Sequence, residues 1–187
     1  MNLRTETLEG WGVRLVPLEA AHRAPLREAA ADPALWAHWP RPMADWDAAF
    51  DWLCAEVAAG RFIAFTVCAP EPLGQTCYLN IRAEHAGVEI GHTWYAAAAQ
   101  GGRVNPACKL LLMDHAFVCG AERVELKTDA RNARSRAAIL KMGATFEGIF
   151  RRHMRRPDGA WRDTAWYSVI REDWPAVRAG LAARLSA

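Results

Sequence analysis

Several features are missing from this 187-residue chain, and each absence removes a class of function. No apolar run approaches the ~20 residues needed to span a bilayer, so no membrane partner is expected. Met1 to Gly10 carries Arg4, Glu6 and Glu9 with no apolar stretch, and does not read as a secretory signal. The five cysteines (Cys54, Cys68, Cys77, Cys108 and Cys119) are odd in number and form no CxxC pair. That pattern argues against a disulfide framework or a zinc site; it fits a reducing cytoplasm, and no metal is expected. A net charge of only +2 gives no electrostatic case for direct nucleic-acid binding. No internal repeat is seen.

What remains is globular in composition, with 52% hydrophobic and 24% charged residues. The length fits one domain over 1–187 with a full core. Nine tryptophans are many for this length. Each joins a large apolar area to one polar N–H, so most should pack the core and some are candidates for a ligand wall.

Hydrophobic spacing and turn signals predict strands at Trp11–Leu18, Phe62–Cys68, Gly74–Ile81, Val88–Tyr95, Arg123–Thr128, Thr145–Met154 and Trp161–Ile170. They predict helices at Leu18–Ala31, Asp45–Ala59, Pro106–Cys119 and Ala133–Met142, and a last one capped by Asp173. Pro157-Asp158-Gly159 reads as a hairpin turn. The order is that of one mixed α/β unit.

Two strand-to-helix junctions carry chemistry. At Gln100-Gly101-Gly102-Arg103-Val104-Asn105, a helix start offers unpaired N–H groups and a positive dipole end, which suit a phosphate. Gly101 and Gly102 let the backbone approach closely, and Arg103 can add a bidentate contact. A plain turn is the alternative. At the second junction, Asn132 is either a helix cap or a donor–acceptor partner for an amide-bearing ligand. Arg131, Arg134 and Arg136 are either phosphate partners or a solvated face.

The run Val88–Phe150 resembles the GNAT superfamily of acyl-CoA N-acyltransferases, and within it the RimJ/RimL-type branch. Glu89-Ile90-Gly91 followed by Trp94 is similar to the family's strand before the pyrophosphate loop. Gln100 to Asn105 resembles that loop. Asn132-x-x-Ser135, with Lys141-Met142-Gly143-Ala144-x-Phe146-Glu147-Gly148, resembles the second cofactor motif. Arg103 and Asn105 depart from the loop's usual small residues, and a positive φ at Arg103 would be strained.

The resemblance implies an α/β fold of GNAT type: a mixed, mostly antiparallel twisted sheet with two splayed parallel central strands, flanked by helices. It implies acetyl-CoA as cosubstrate and a primary amine acceptor, a small molecule or a peptide N-terminus. A homodimer is also expected from it, and the cysteine usage points to a cytoplasmic location. The alternative is a non-catalytic acyl-CoA-binding protein that retains the fold. Pantetheine would pair with the backbone of Thr93, Trp94 and Tyr95. Gln100, Gly101, Gly102, Arg103, Val104, Asn105, Asn132 and Ser135 would complete the cofactor cradle.

Attack on the thioester needs a neutral amine and a proton for the leaving thiolate. A lysine-like amine costs roughly 4 kcal/mol to neutralise near pH 7.5, an α-amine under roughly 1. Glu89 and Glu147 are the candidate bases, and Ser135 the candidate acid, with Tyr95 and Tyr167 as other donors. Glu89 could equally be an exposed strand carboxylate, and Ser135 could simply bond the helix backbone. His92 alternates to the face opposite Glu89. Trp36 and Trp39, in the aromatic stretch Trp36 to Pro40, together with His92, are the candidate acceptor wall. The run Arg151 to Arg156 either attracts an acidic acceptor or is a solvated strand end.

Overall fold

A computed structural model describes residues 1–187. Its elements are β1 (Leu8–Gly10), β2 (Val13–Pro17), α1 (Arg23–Ala29), α2 (Trp46–Ala58), β3 (Ile63–Cys68), β4 (Pro72–Arg82), β5 (Gly87–Tyr95), α3 (Val104–Val118), β6 (Arg123–Asp129), α4 (Ala133–Lys141), β7 (Thr145–Arg155), β8 (Trp161–Ile170) and α5 (Trp174–Ser186). No helix is long and apolar enough to cross a membrane.

The strands form one sheet in the order β1-β2-β3-β4-β5-β6-β8-β7. Every neighbouring pair is antiparallel except β5 and β6. Those two run parallel and pair only over Gly87–Glu89 and Arg123–Glu125. Beyond Glu89 they part, as the splayed arrangement requires, and β5 has no strand on that side from Ile90 onward.

Side-chain alternation sorts the sheet into two faces. Val88, Ile90, Val124 and Leu126 turn into the main core with Leu110, Met113, Leu181 and Leu185 of α3 and α5. The opposite face of β3–β5 is covered by α1 and α2 through two smaller clusters, Leu26, Phe50 and Trp94, and Leu53, Ala64, Cys77 and Leu79.

Several boundaries differ from the sequence-based expectation. The first predicted strand begins two residues later, as β2: Trp11 (φ 57) and Gly12 (φ 78) form the turn that joins it to β1, the left-handed pair that tight hairpins favour. The predicted first helix splits into a 3₁₀ turn at Ala20–His22 and the short α1. Asp173 stands at the start of α5 but makes no capping hydrogen bond, its backbone being already helical (φ −77, ψ −25). Helix α3 starts at Val104, ahead of Pro106.

The junction of β4 and β5 has little spare room. A Cβ on Gly74 would stand 2.4 Å from the Trp94 carbonyl oxygen and 2.9 Å from the Tyr95 ring. Gly74→Ala should therefore push β5 away and cost about 1–3 kcal/mol, the usual range for overpacking. A urea midpoint equal to that of the native protein would refute this.

Candidate active site

The vertex where β5 and β6 part holds a buried ion pair. Glu89 is 1% exposed. Its Oε2 accepts from Asn80 Nδ2 at 2.6 Å and lies 2.8 Å from Lys127 Nζ. Glu89 is thus not an exposed strand carboxylate. Lys127 also sits over the Trp166 ring, 5.1 Å from its centroid. Nothing in the spacing of Glu89 alone pointed to Asn80 or Lys127. The signal was in β6 itself, where Arg123, Glu125, Lys127 and Asp129 alternate with the buried Val124, Leu126 and Thr128 on an interior strand.

Alternation along β5 does not survive to His92, which corrects the expectation that His92 faces away from Glu89. The β4–β5 register slips between Cys77↔Gly91 and Gln75↔Trp94, and His92 takes φ 48. This extra residue resets the phase, as a β-bulge does. The His92 ring meets Trp39, Trp52 and Phe62 at centroid distances of 5.0, 5.2 and 5.3 Å. It therefore lies on the α2 side, where Glu89 packs beside Leu79 and Gly91. Burial among these rings pushes the imidazole pKa down to about 4, so it is neutral at physiological pH. Trp36 joins the same cluster, edge-on to Trp39 and Trp94 at 5.3 and 5.5 Å. Trp36, Trp39 and His92 are thus brought together as one wall. The Trp94 side chain belongs to this wall too, while its backbone stays on β5.

On the other side of the bulge, Thr93 Oγ1 shares a 2.8 Å hydrogen bond with Thr76 and accepts from Lys109 Nζ at 3.0 Å. Burial pushes the Lys109 ammonium down to about 8. Lys109 escaped the sequence reading because a lysine in an apolar helix reads as a solvated position.

The Gln100–Asn105 loop leads from β5 into the start of α3. Gly101 takes the left-handed conformation (φ 78), and Arg103 does not: it is helical, at φ −81 and ψ −19. The expected strain at Arg103 is absent. A Cβ at Gly101 or Gly102 would meet nothing within 4 Å, so the loop backbone is open. Gln100 Nε2 donates to the Tyr95 carbonyl at 2.9 Å and ties the loop to β5. The Arg103 side chain is committed elsewhere. Its Nη2 donates to the Leu185 carbonyl at the end of α5, where a cation suits the negative helix terminus. A phosphate contact from Arg103 would need another rotamer. Asn105 Oδ1 accepts from Tyr95 Oη at 3.2 Å. Val104 opens α3 beside it.

The second junction shows its capping role directly. Asn132 Oδ1 accepts from the Ser135 backbone N–H at 3.0 Å. Asn132→Ala should cost about 1 kcal/mol, the usual loss for such a cap. A rise in acetyl-CoA Kd beside that loss would mark cofactor contact, and an unchanged Kd would restrict Asn132 to capping. Ser135 is half-buried at the start of α4. Of the other donors, Tyr167 accepts from Arg136 Nε at 3.0 Å, and Tyr95 is fully packed, with its pKa pushed well up by burial.

Glu147 lies on β7, apart from the vertex. Arg123 grips it through both guanidinium nitrogens, and Ser168 Oγ donates to it at 2.8 Å. Arg123 holds its carboxyl below the usual range, which weakens it as a base. The Arg151–Arg156 run is divided by the structure. Arg155 lies over Trp161, and Arg156 pairs with Asp129 at 3.2 Å and reaches the Ala37 carbonyl at 3.3 Å. Arg151 and Arg152 are exposed.

Comparison with known proteins agrees with this geometry. A family model described as an acetyltransferase (GNAT) domain matches residues 13–145. A solved structure of an acetyltransferase from T. thermophilus is 37% identical with a TM-score of 0.90, covering 99% of this chain and 100% of that one. A GCN5-related N-acetyltransferase from Brucella melitensis is 29% identical with a TM-score of 0.89, covering 97% of this chain and 86% of that one. Mycobacterium smegmatis RimJ in complex with CoA-disulfide is 26% identical with a TM-score of 0.79, covering 95% and 92%. No curated protein sequence matches. With the model covering most of its length and the same fold in these structures, the chain belongs to the GNAT acetyltransferase family.

Proposed function

We propose that this protein transfers an acetyl group from acetyl-CoA to a primary amine by direct attack in a ternary complex, as a cytoplasmic member of the RimJ/RimL-type branch. The observation that carries the reading is the parting of β5 and β6 after three paired residues. It frees the β5 edge from Ile90 to Tyr95 to pair with an amide-bearing arm, as an added strand would. Beyond that edge lies the open start of α3 at Gln100–Asn105, whose N–H groups suit a pyrophosphate. Asn132 and Ser135 flank the other side of the gap. The likeness to RimJ, which was solved with CoA-disulfide, supports the same cofactor class.

On the α2 side of the gap, Glu89 takes the amine proton directly or through water, and the wall of Trp36, Trp39 and His92 holds the acceptor. Lys127 and Asn80 already occupy Glu89 Oε2, leaving Oε1 to receive the proton. That limited capacity favours an α-amine acceptor, which needs little help to become neutral. Ser135 is the proton donor for the thiolate.

The commitment of Glu89 and Glu147 to cationic partners also favours the second reading, a non-catalytic acyl-CoA-binding protein. Free CoA measured after incubation with acetyl-CoA and an amine panel separates the two. Amine-dependent CoA release supports the enzyme. Tight acetyl-CoA binding without release leaves the binding protein, and no binding sinks both.

A further inference from the structure

Arg162 on β8 has no role in the reaction outlined above, yet it is only 5% exposed. A buried guanidinium without a counter-charge costs several kcal/mol. The two acids whose fields reach it, Asp129 and Glu89, are both committed elsewhere. Asp129 pairs with Arg131 and Arg156, and Glu89 with Lys127 and Asn80. Arg162 Nε is buried with no hydrogen-bond partner, and burial pulls the guanidinium pKa down from its ordinary value.

It does not stand alone. Arg162, Thr164 and Trp166 alternate onto one face of β8, the face on which Lys127 lies over Trp166. Trp166 Nε1 is likewise buried without a hydrogen bond, and so are Trp39 Nε1, beside His92, and Arg156 Nε, which has only the Asp158 carboxylate at 3.4 Å. Four of the five buried side-chain atoms without a hydrogen bond are therefore N–H donors, on the residues around the proposed acceptor cleft. A buried donor in a native fold normally has an acceptor, which protein, ordered water or a ligand can supply. The charges agree. Four cations, Lys127, Arg131, Arg156 and Arg162, stand against three carboxylates, Glu89, Asp129 and Asp158, leaving one positive charge uncompensated.

We propose that Arg162 binds a carboxylate of the acceptor, so that the preferred substrates are amines carrying an acid group near the reacting nitrogen. A planar guanidinium fork matches a carboxylate. Asp129 and Glu89 disfavour a dianion such as a phosphate monoester. Trp166 is the β8 partner of Lys127 in the β6–β8 pairing, and Arg162 lies four residues along β8, about 13 Å at strand rise. Long side chains at both ends shorten that span. The acid then falls within about two residues of the amine, or ~7 Å of extended chain. This inference rests on the acetyl-transfer reading for its substrate, but its binding part is tested separately.

The probes are two amidated tripeptides, Ala-Asp-Ala and Ala-Asn-Ala, and their N-acetylated forms as product ligands in the presence of CoA. The native protein is expected to favour the Asp peptide at least 10-fold in kcat/KM, mainly through KM, and its acetylated form at least 10-fold in Kd. In Arg162→Gln both preferences should fall below about 3-fold, and Arg162→Lys should keep part of them. Should Arg162→Gln fail to fold, the native ratios and Arg162→Lys decide. Equal handling of the two peptides by the native protein, in turnover and in product binding, overturns the proposal. So does a folded Arg162→Gln that keeps the preference, or tighter binding of a phosphoserine peptide than of the Asp peptide. If neither peptide is acetylated, the acetyl-transfer reading fails for them, and the Kd ratio still decides the carboxylate site.

Discussion

Lys127→Met is expected to destabilise the protein by about 3 kcal/mol, the lower end of the range for removing one member of a buried ion pair. Lys127 is 16% exposed at its side chain and Glu89 only 2%. Removing the ammonium leaves a buried carboxylate with Asn80 as its remaining side-chain hydrogen-bond partner and little water to screen it. The cost comes from the stranded charge more than from the lost attraction. It follows that Glu89→Gln in the same chain should restore most of the stability, because a neutral amide needs no counter-ion. Urea denaturation of the two single variants and the double variant closes the cycle. The lower end applies because partial exposure lets water reach the ammonium. A loss under about 1 kcal/mol in Lys127→Met would mean the pair is solvated like a surface bridge.

Glu89→Gln carries the second large effect. With Glu89 as the proton acceptor, kcat should fall about 100- to 10,000-fold, the usual contribution of a positioned base. The fold should survive, since the Gln side-chain oxygen can still accept from Lys127 Nζ. Acetyl-CoA Kd should stay within about 2-fold, because Glu89 faces α2 and not the free β5 edge. The defect should also depend on the acceptor and the pH. An α-amine with a pKa near 8 is mostly neutral at pH 9, and a lysine-like amine with a pKa near 10.4 is not. Raising the pH from 7 to 9 should therefore narrow the gap between variant and native protein for an α-amine more than for a lysine-like one. A Glu89→Gln enzyme within 3-fold of native kcat at pH 7 would remove Glu89 from the reaction. The neutral His92 ring would then be the next group to test.

The arginine–carboxylate ladder beside the vertex bears on both experiments. Glu125, the parallel partner of Glu89, accepts from Arg82 and Arg123 at 2.8 Å each, and Arg123 continues to Glu147. These pairs lie on the strand ends where β5 and β6 still touch, and they brace the point from which the strands diverge. Glu147 is held in this ladder, so the two candidate bases of the sequence end up with different surroundings. One stands in the cleft beside a lysine, and the other is clamped to an arginine at the sheet's far strand.

Much of the architecture was legible in the amino-acid order. Period-two apolar runs with turn residues between them marked the strands. The Gln100–Asn105 and Asn132–Ser135 motifs located both helix starts, because helix termination and capping are local physics. Local rules also explain the errors in detail: Trp11-Gly12 forms the turn ahead of β2, and Pro25 follows closely on the late start of α1. Tertiary structure decided the rest. Whether Arg103 reaches a phosphate or the end of α5 depends on a helix 82 residues away in sequence. The face His92 presents depends on one bulge residue, which shifts every later side chain by half a period. Above all, Lys127 and Arg162 are charged positions on strands, the ordinary mark of a solvent face. Only the pairing of β5, β6 and β8 in one sheet, with the elements packed over it, buries that face.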